Sequence, residues 1–186
     1  MITLVLGGTR SGKSAVAEAL VARSGGPVLY VATAEAGDAE MSARIAAHRR
    51  RRPAEWVTLE APLEPARAVR EWLGAADTVL LDCLGLLVSN VLLAEGDAGD
   101  PAARLTRLGD ELLGLVADHG ARVIVVSSEV GAGLVPLSAI GRLYLDLLGD
   151  LNQRIARAAD HAYLVVAGLA IDLKALAIDL GATDTR

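Results

Sequence analysis

The feature that most limits what this chain can become is the run Gly7-Gly8-Thr9-Arg10-Ser11-Gly12-Lys13-Ser14, which satisfies G-x-x-x-x-G-K-[ST] at each fixed position. It follows the apolar stretch Met1-Ile2-Thr3-Leu4-Val5-Leu6 and leads into Ala15-Val16-Ala17-Glu18-Ala19-Leu20, so a strand precedes it and a helix follows. Glycines at these places let the backbone curl until successive N–H groups face one anion, and the positive end of the helix dipole adds to the attraction. In such a loop the lysine reaches the β- and γ-phosphates of a nucleotide and the hydroxyl beside it holds Mg²⁺, roles that fall to Lys13 and Ser14. The chain contains two lysines, and one of them stands here. An ordinary glycine-rich turn is the alternative, and the strand-before, helix-after context weighs against it.

A length of 186 residues suits one α/β domain with a sizeable core and is short for two. A formal net charge of −5 argues against a general nucleic-acid binder, whose footprint is basic, and leaves small molecules as the expected partners. The single cysteine, Cys83, rules out an internal disulfide and a cysteine-cluster metal site, which fits a reducing cytoplasm. The apolar N-terminus lacks a basic segment and reaches glycine after six residues, so it reads as a strand and not a leader. With no apolar stretch near the ~20 residues a bilayer span needs, a soluble protein is expected.

Along the chain, strands are expected at 1–6, 28–32, 56–59, 78–82, 122–127 and 163–166, where short β-branched runs are bounded by breakers. Helices are expected at 14–23, from Asp38 to about Arg52, at 62–73, 101–119 and 140–159. Gly96-Asp97-Ala98-Gly99-Asp100-Pro101 reads as the clearest surface loop, and residues beyond Lys174 as a loose tail. Alternating strands and helices without an internal repeat predict a mainly parallel sheet wrapped on both faces, a three-layer fold like that of the phosphate-loop NTPases, with 1–174 as one nucleotide-binding domain and 175–186 as a tail.

Thr78-Val79-Leu80-Leu81-Asp82 is an apolar strand closed by an acid. Beside a phosphate loop, that carboxylate is suited to face Mg²⁺; capping the next helix is the competing role. Ser128-Glu129-Val130-Gly131-Ala132-Gly133 forms a glycine-rich turn at a strand's carboxyl end, where open α/β sheets bind ligands.

Within the 38–52 helix, Glu40, Arg44 and His48 recur every fourth residue and therefore share a face, with Arg51 and Arg52 following His48 at i+3 and i+4. Cations around an imidazole disfavour its protonated form and keep it nucleophilic, and guanidinium groups pair with phosphate oxygens. Taken by itself, the stretch reads rather as a solvated basic helix face carrying an incidental histidine. His119 and His161 have only structural readings.

Taken together these blocks resemble the bifunctional adenosylcobinamide kinase / adenosylcobinamide-phosphate guanylyltransferase family of cobalamin biosynthesis. The resemblance spans residues 1–168. It rests on the phosphate loop; on Ala32-Thr33-Ala34 with Asp38-x-Glu40-Met41-x-x-Arg44-Ile45-x-x-His48; on Arg52-Pro53-x-x-Trp56-x-Thr58-x-Glu60-x-Pro62; and on Leu81-Asp82-Cys83-Leu84, Val88-Ser89-Asn90, Glu129-Val130-Gly131-x-Gly133-x-Val135-Pro136 and Gly149-x-x-Asn152-Gln153. Ser128 stands where the family often has Asn, and Leu145 where an Arg usually precedes the aspartate.

The resemblance implies phosphorylation of the aminopropanol hydroxyl of adenosylcobinamide by ATP or GTP, then transfer of GMP from GTP to that phosphate through a covalent histidine, whose position His48 occupies. His48 and Lys13 are then the expected catalytic residues. Gly7, Gly8, Thr9, Arg10, Ser11, Gly12, Lys13, Ser14, Ala32, Thr33, Ala34, Arg44, Arg52, Glu60 and Asp82 are the expected nucleotide-binding residues, and Ser14 and Asp82 the Mg²⁺ ligands. A homo-oligomer, a trimer in particular, is a further implication. The competing readings are a plain phosphate-loop kinase of another small molecule, and a GTP-switched binding module that transfers nothing.

Overall fold

The computed structural model describes residues 1–178 apart from Leu73; the side chains of Glu40, Arg44, Asp97, Asp118 and His119 lie outside the description. Among the described residues the elements run β1 (Ile2–Gly7), α1 (Lys13–Ala22), β2 (Val28–Ala32), α2 (Ala39–Arg51), β3 (Val57–Glu60), α3 (Pro65–Arg70), β4 (Thr78–Asp82), α4 (Leu84–Glu95), α5 (Pro101–His119), β5 (Arg122–Ser128), α6 (Ala139–Ala158), β6 (His161–Val166), β7 (Leu169–Asp172) and α7 (Leu173–Leu176), with a 3₁₀ turn at Gly96–Ala98. The strands form one sheet in the order β3-β2-β4-β5-β1-β6-β7. Every pairing is parallel except the antiparallel β6–β7.

Successive strand residues point to opposite faces, and both faces are covered. Leu4, Leu29, Val31, Leu81 and Val125 pack with buried residues of α3, α4, α5 and α6, whereas Val5, Tyr30, Leu80, Ile124 and Val126 pack with Ala17 and Val21 of α1. That double burial explains why the central strands read as unbroken apolar runs. α2 stands apart from this layering, since none of its described residues is buried.

Local chemistry sets several boundaries. Asp38 caps α2 by accepting from the Met41 N–H at 2.7 Å, and Asp100 caps α5 through the Ala103 N–H at 2.9 Å. Pro101 occupies the first turn of α5, and Gly120, in the left-handed region at φ 65°, ends it.

The structure departs from the sequence expectations in three places. α4 is not anticipated, because Leu84–Glu95 is apolar nearly all round and shows no amphipathic period. Its Leu87, Val88 and Val91 are fully buried, each contributing roughly 1.5–3 kcal/mol relative to exposure. The last strand is β7 and not β6: the chain reverses at Ala167-Gly168, both with positive φ, and adds an antiparallel edge strand. α3 is shorter than the expected 62–73, opening at Pro65 and ending at Arg70.

Candidate active site

The phosphate loop leaves β1 at Gly7, where a Cβ would lie 2.4 Å from Ser11 Oγ and 2.7 Å from the Val165 carbonyl oxygen. Only glycine fits without displacing backbone. The loop turns back on itself through Ser11 N–H donating to Gly8 O at 3.2 Å, and Gly12, at φ 94°, opens α1. Gly168 N–H donates to Ser11 O at 2.8 Å, so the unanticipated β6–β7 turn props the loop from behind. Lys13 Nζ donates to Gly8 O at 3.1 Å and thus lies across the loop.

On the same side of the sheet, Ala32 of β2 is in register with Asp82 of β4. Tyr30 donates its hydroxyl hydrogen to Asp82 Oδ2 at 2.7 Å. Thr33 is fully buried and ties the two strand ends together, its hydroxyl donating to Cys83 O and accepting from Cys83 N–H, both at 2.8 Å. Asn90 of α4 donates to Thr33 O at 2.8 Å.

α2 reaches over this region and is joined to it by charge. Arg49 pairs with Glu60 at the end of β3, Arg51 lies 3.5 Å from Glu18 of α1, and His48 Nδ1 lies 3.9 Å from Asp82 Oδ2. Arg52, which caps the C-terminus of α2, stacks its guanidinium 3.2 Å from the centroid of the Tyr30 ring. Its Nε and Nη1 are buried and have no hydrogen-bond partner among the described residues.

A cavity of about 540 Å³ results, lined by residues 9–14, Ala32, Ala34, His48, Arg52, Glu60 and Asp82 of the sequence-derived set. Gly7, Gly8 and Thr33 do not line it: the first two shape the loop and Thr33 braces the strand ends. Arg44 lies on α2, with its side chain outside the described residues. Tyr30, Met41, Ile45, Cys83, Leu86 and Ser128 also line the cavity and were not singled out as site residues. The signal for Tyr30 was a lone polar group in an apolar strand two residues before Ala32.

The electrostatics favour a neutral imidazole. Burial lowers the His48 pKa from its ordinary value; Asp82 opposes this, Arg51 adds to it, and Glu18 and Arg52 contribute weaker pulls of opposite sign. Arg51 Nη2 is 3.3 Å from His48 Nδ1; a guanidinium only donates, so in this arrangement Nδ1 accepts. Burial, reinforced by Asp82, pushes the Cys83 thiol up to about 11, which keeps it protonated and unreactive.

The donors present suit Mg²⁺. Ser14 and Asp82 offer one hydroxyl and one carboxylate on the cavity wall, and no group of three or more His, Cys, Asp or Glu side chains that could hold a metal occurs among the described residues. Mg²⁺ commonly takes one or two protein oxygens and completes its shell with phosphates and water. The cavity wall therefore carries loop residues, the Lys13 ammonium, the Arg52 guanidinium, the Ser14 hydroxyl, the Asp82 carboxylate and the His48 imidazole, a set whose chemistry suits a polyphosphate and its cation.

Comparison with known proteins agrees with this chemistry. Residues 3–173 match the family described as cobinamide kinase / cobinamide phosphate guanyltransferase. The chain is 47% identical over 174 residues to the bifunctional adenosylcobalamin biosynthesis protein CobP of Pseudomonas aeruginosa, covering 94% of this chain and 98% of that protein. It is 41% identical over 182 residues to CobU of Salmonella typhimurium, covering 94% of this chain and 100% of that one. The RadB recombinase shares the fold at 19% identity, with a TM-score of 0.50 over 88% of this chain and 73% of that one. The chain belongs to the cobinamide kinase / cobinamide phosphate guanyltransferase family.

Proposed function

We propose that this protein phosphorylates adenosylcobinamide with a nucleoside triphosphate, ATP or GTP, and then transfers GMP from GTP onto adenosylcobinamide phosphate through a covalent His48–GMP, yielding adenosylcobinamide-GDP. The observation that carries the reading is the His48 imidazole sharing one cavity with the phosphate loop, 3.9 Å from the carboxylate at the end of β4.

The loop N–H groups and Lys13 bind the triphosphate, and Arg52, with Arg44 as an expected partner, takes further phosphate oxygens. Ser14 and Asp82 would hold Mg²⁺, which when bound would neutralise charge developing on the phosphates. Arg51 leaves Nδ1 as phosphate oxygens draw its guanidinium away, which frees the imidazole lone pair. That lone pair attacks the α-phosphorus as the bond to pyrophosphate breaks. The phosphate of the acceptor then displaces His48 and takes the GMP. Dividing the transfer in this way gives the first displacement, at the highly charged triphosphate, a neutral nucleophile and leaves the acceptor phosphate to meet only the single phosphoryl group of the tethered GMP. Gly37, in the loop before α2, is the proposed hinge through which the helix admits nucleotide.

Residues 1–174 form the nucleotide-binding domain in this reading and 175–186 a tail, whose first two residues complete α7 (Leu173–Leu176) and whose residues 179–186 lie outside the described residues. No helix of the described residues is long and apolar enough to cross a membrane. The nucleotide substrates favour the cytoplasm as the place of action. Exposed apolar side chains at Leu134 and Leu137, and on β7 and α7 at Leu169 and Leu176, support assembly of copies, with a trimer the state that the family resemblance implies.

Intact mass after incubation with GTP and Mg²⁺ tests the reading. Addition of one GMP to wild type, absent in His48→Ala while phosphorylation of adenosylcobinamide persists, is the expected outcome. A GMP adduct on His48→Ala would overturn the nucleophile, and no adduct on wild type would favour a plain kinase or a GTP-switched module.

A further inference from the structure

Tyr30 stands between the two charged arms of the cavity. Its side chain is 2% exposed, its hydroxyl donates to Asp82 Oδ2 at 2.7 Å, and its ring carries the Arg52 guanidinium 3.2 Å from the centroid. We propose that Tyr30 is a positioning residue that spaces the phosphate-binding guanidinium from the cation-side carboxylate, its ring supporting Arg52 and its hydroxyl holding Asp82. The inference rests on the reading of this cavity as the GTP site.

A buried phenol needs an acceptor, and here the acceptor is a carboxylate, which makes the bond charge-assisted and directional. Phenylalanine would fill the same volume in β2, so the hydroxyl serves Asp82 and not the core. Burial and the neighbouring carboxylate both raise the phenol's pKa, which keeps it a donor. With Oδ2 held, Asp82 turns its other oxygen to no hydrogen-bond donor among the described residues, leaving it for a cation.

The ring does a different job for Arg52. A guanidinium over an aromatic face is held by the ring's quadrupole without using its N–H groups, and Arg52 Nε and Nη1 have no hydrogen-bond partner among the described residues. The stacking therefore uses none of these N–H groups; both are shielded from solvent in this structure, and Arg52 lines the cavity where phosphate oxygens would meet its guanidinium. Register explains the placement: Tyr30 pairs with Leu80 and Ala32 with Asp82, so Tyr30 and Asp82 are diagonal neighbours on one face, while Arg52 arrives from the end of α2. Opposite charges left without a spacer close into an ion pair. A flat, rigid side chain with only two torsions keeps them apart and points each at its own part of Mg²⁺–GTP.

The test is GTP affinity, by calorimetry, with excess Mg²⁺ and again with EDTA, for wild type, Tyr30→Phe and Tyr30→Leu. Tyr30→Phe keeps the ring, so the affinity in EDTA should stay within about twofold of wild type while the affinity in Mg²⁺ falls about tenfold, the scale of one charge-assisted hydrogen bond. Tyr30→Leu removes the support for both arms, so affinity should fall several-fold in EDTA as well. Thermal melting monitors folding, and the Tyr30→Phe split decides the matter even if Tyr30→Leu is unstable. Wild-type affinities for Tyr30→Phe in both conditions, or an equal loss in both, would overturn the proposal. Failure of the GTP-site reading would look different, since wild type itself would then not bind GTP.

Discussion

The imidazole of His48 faces the carboxylate of Asp82, Nδ1 to Oδ2 3.9 Å, which brings a helix with no buried described residue to the end of a central strand. Burial and Arg51 hold the His48 pKa below its ordinary value against the pull of Asp82. The neutral form, which is the nucleophile of the proposed transfer, therefore persists to lower pH than in a free imidazole. The acid limb of GMP incorporation should lie below the ordinary imidazole range, and Arg51→Gln, which removes a cation, should move it upward. Rates of incorporation from α-labelled GTP across roughly pH 5 to 8 check this; an unmoved limb in Arg51→Gln would refute the assignment.

Lys13→Ala should depress both phosphorylation and guanylyl transfer by roughly 10²–10³-fold, as for loss of one preorganised charge-stabilising donor. On the proposed reading the same loop serves the triphosphate in each step. Guanylyl transfer at the wild-type rate in this variant would mean that the two activities use separate sites.

Asp82→Asn preserves shape and can still accept from Tyr30, so its melting temperature should stay close to wild type. Its half-saturating Mg²⁺ concentration should rise by about tenfold or more. A Mg²⁺ titration identical to wild type would remove Asp82 from the cation site.

Two glycines of one motif should behave differently. Gly7→Ala drives a Cβ to 2.7 Å from the Val165 carbonyl oxygen, a backbone atom, whereas a Cβ at Gly8 meets nothing within 4 Å. Chemical denaturation should show Gly7→Ala destabilised by about 1–3 kcal/mol and Gly8→Ala within roughly 0.5 kcal/mol of wild type. Equal stabilities would show that the loop backbone yields at Gly7.

Arg52→Lys keeps the charge but loses the planar face that lies on Tyr30 and the paired donors that suit phosphate. GTP should bind several-fold more weakly, by up to about tenfold, as measured by calorimetry. Unchanged affinity would leave Arg52 a structural cap of α2.

By itself the sequence determined the features whose causes are local. The phosphate loop is dictated by glycines and a lysine within eight consecutive residues, and α2 begins at Asp38 because its own carboxylate reaches the Met41 N–H. The central strands announced themselves because burial on both faces demands apolar runs. Only tertiary structure decided what depends on partners distant in the chain. α4 has no readable period because helices and sheet surround it, and β7 exists because a reversal at Ala167-Gly168 lets Leu169–Asp172 pair with β6. That same turn supports Ser11 of the phosphate loop, and the strand register sets Tyr30 beside Asp82 and beneath Arg52. The physical reason is the difference in range: capping and loop closure act over three or four residues, whereas a phenol's acceptor, a guanidinium's aromatic support and an imidazole's neighbouring carboxylate are selected by packing the whole sheet.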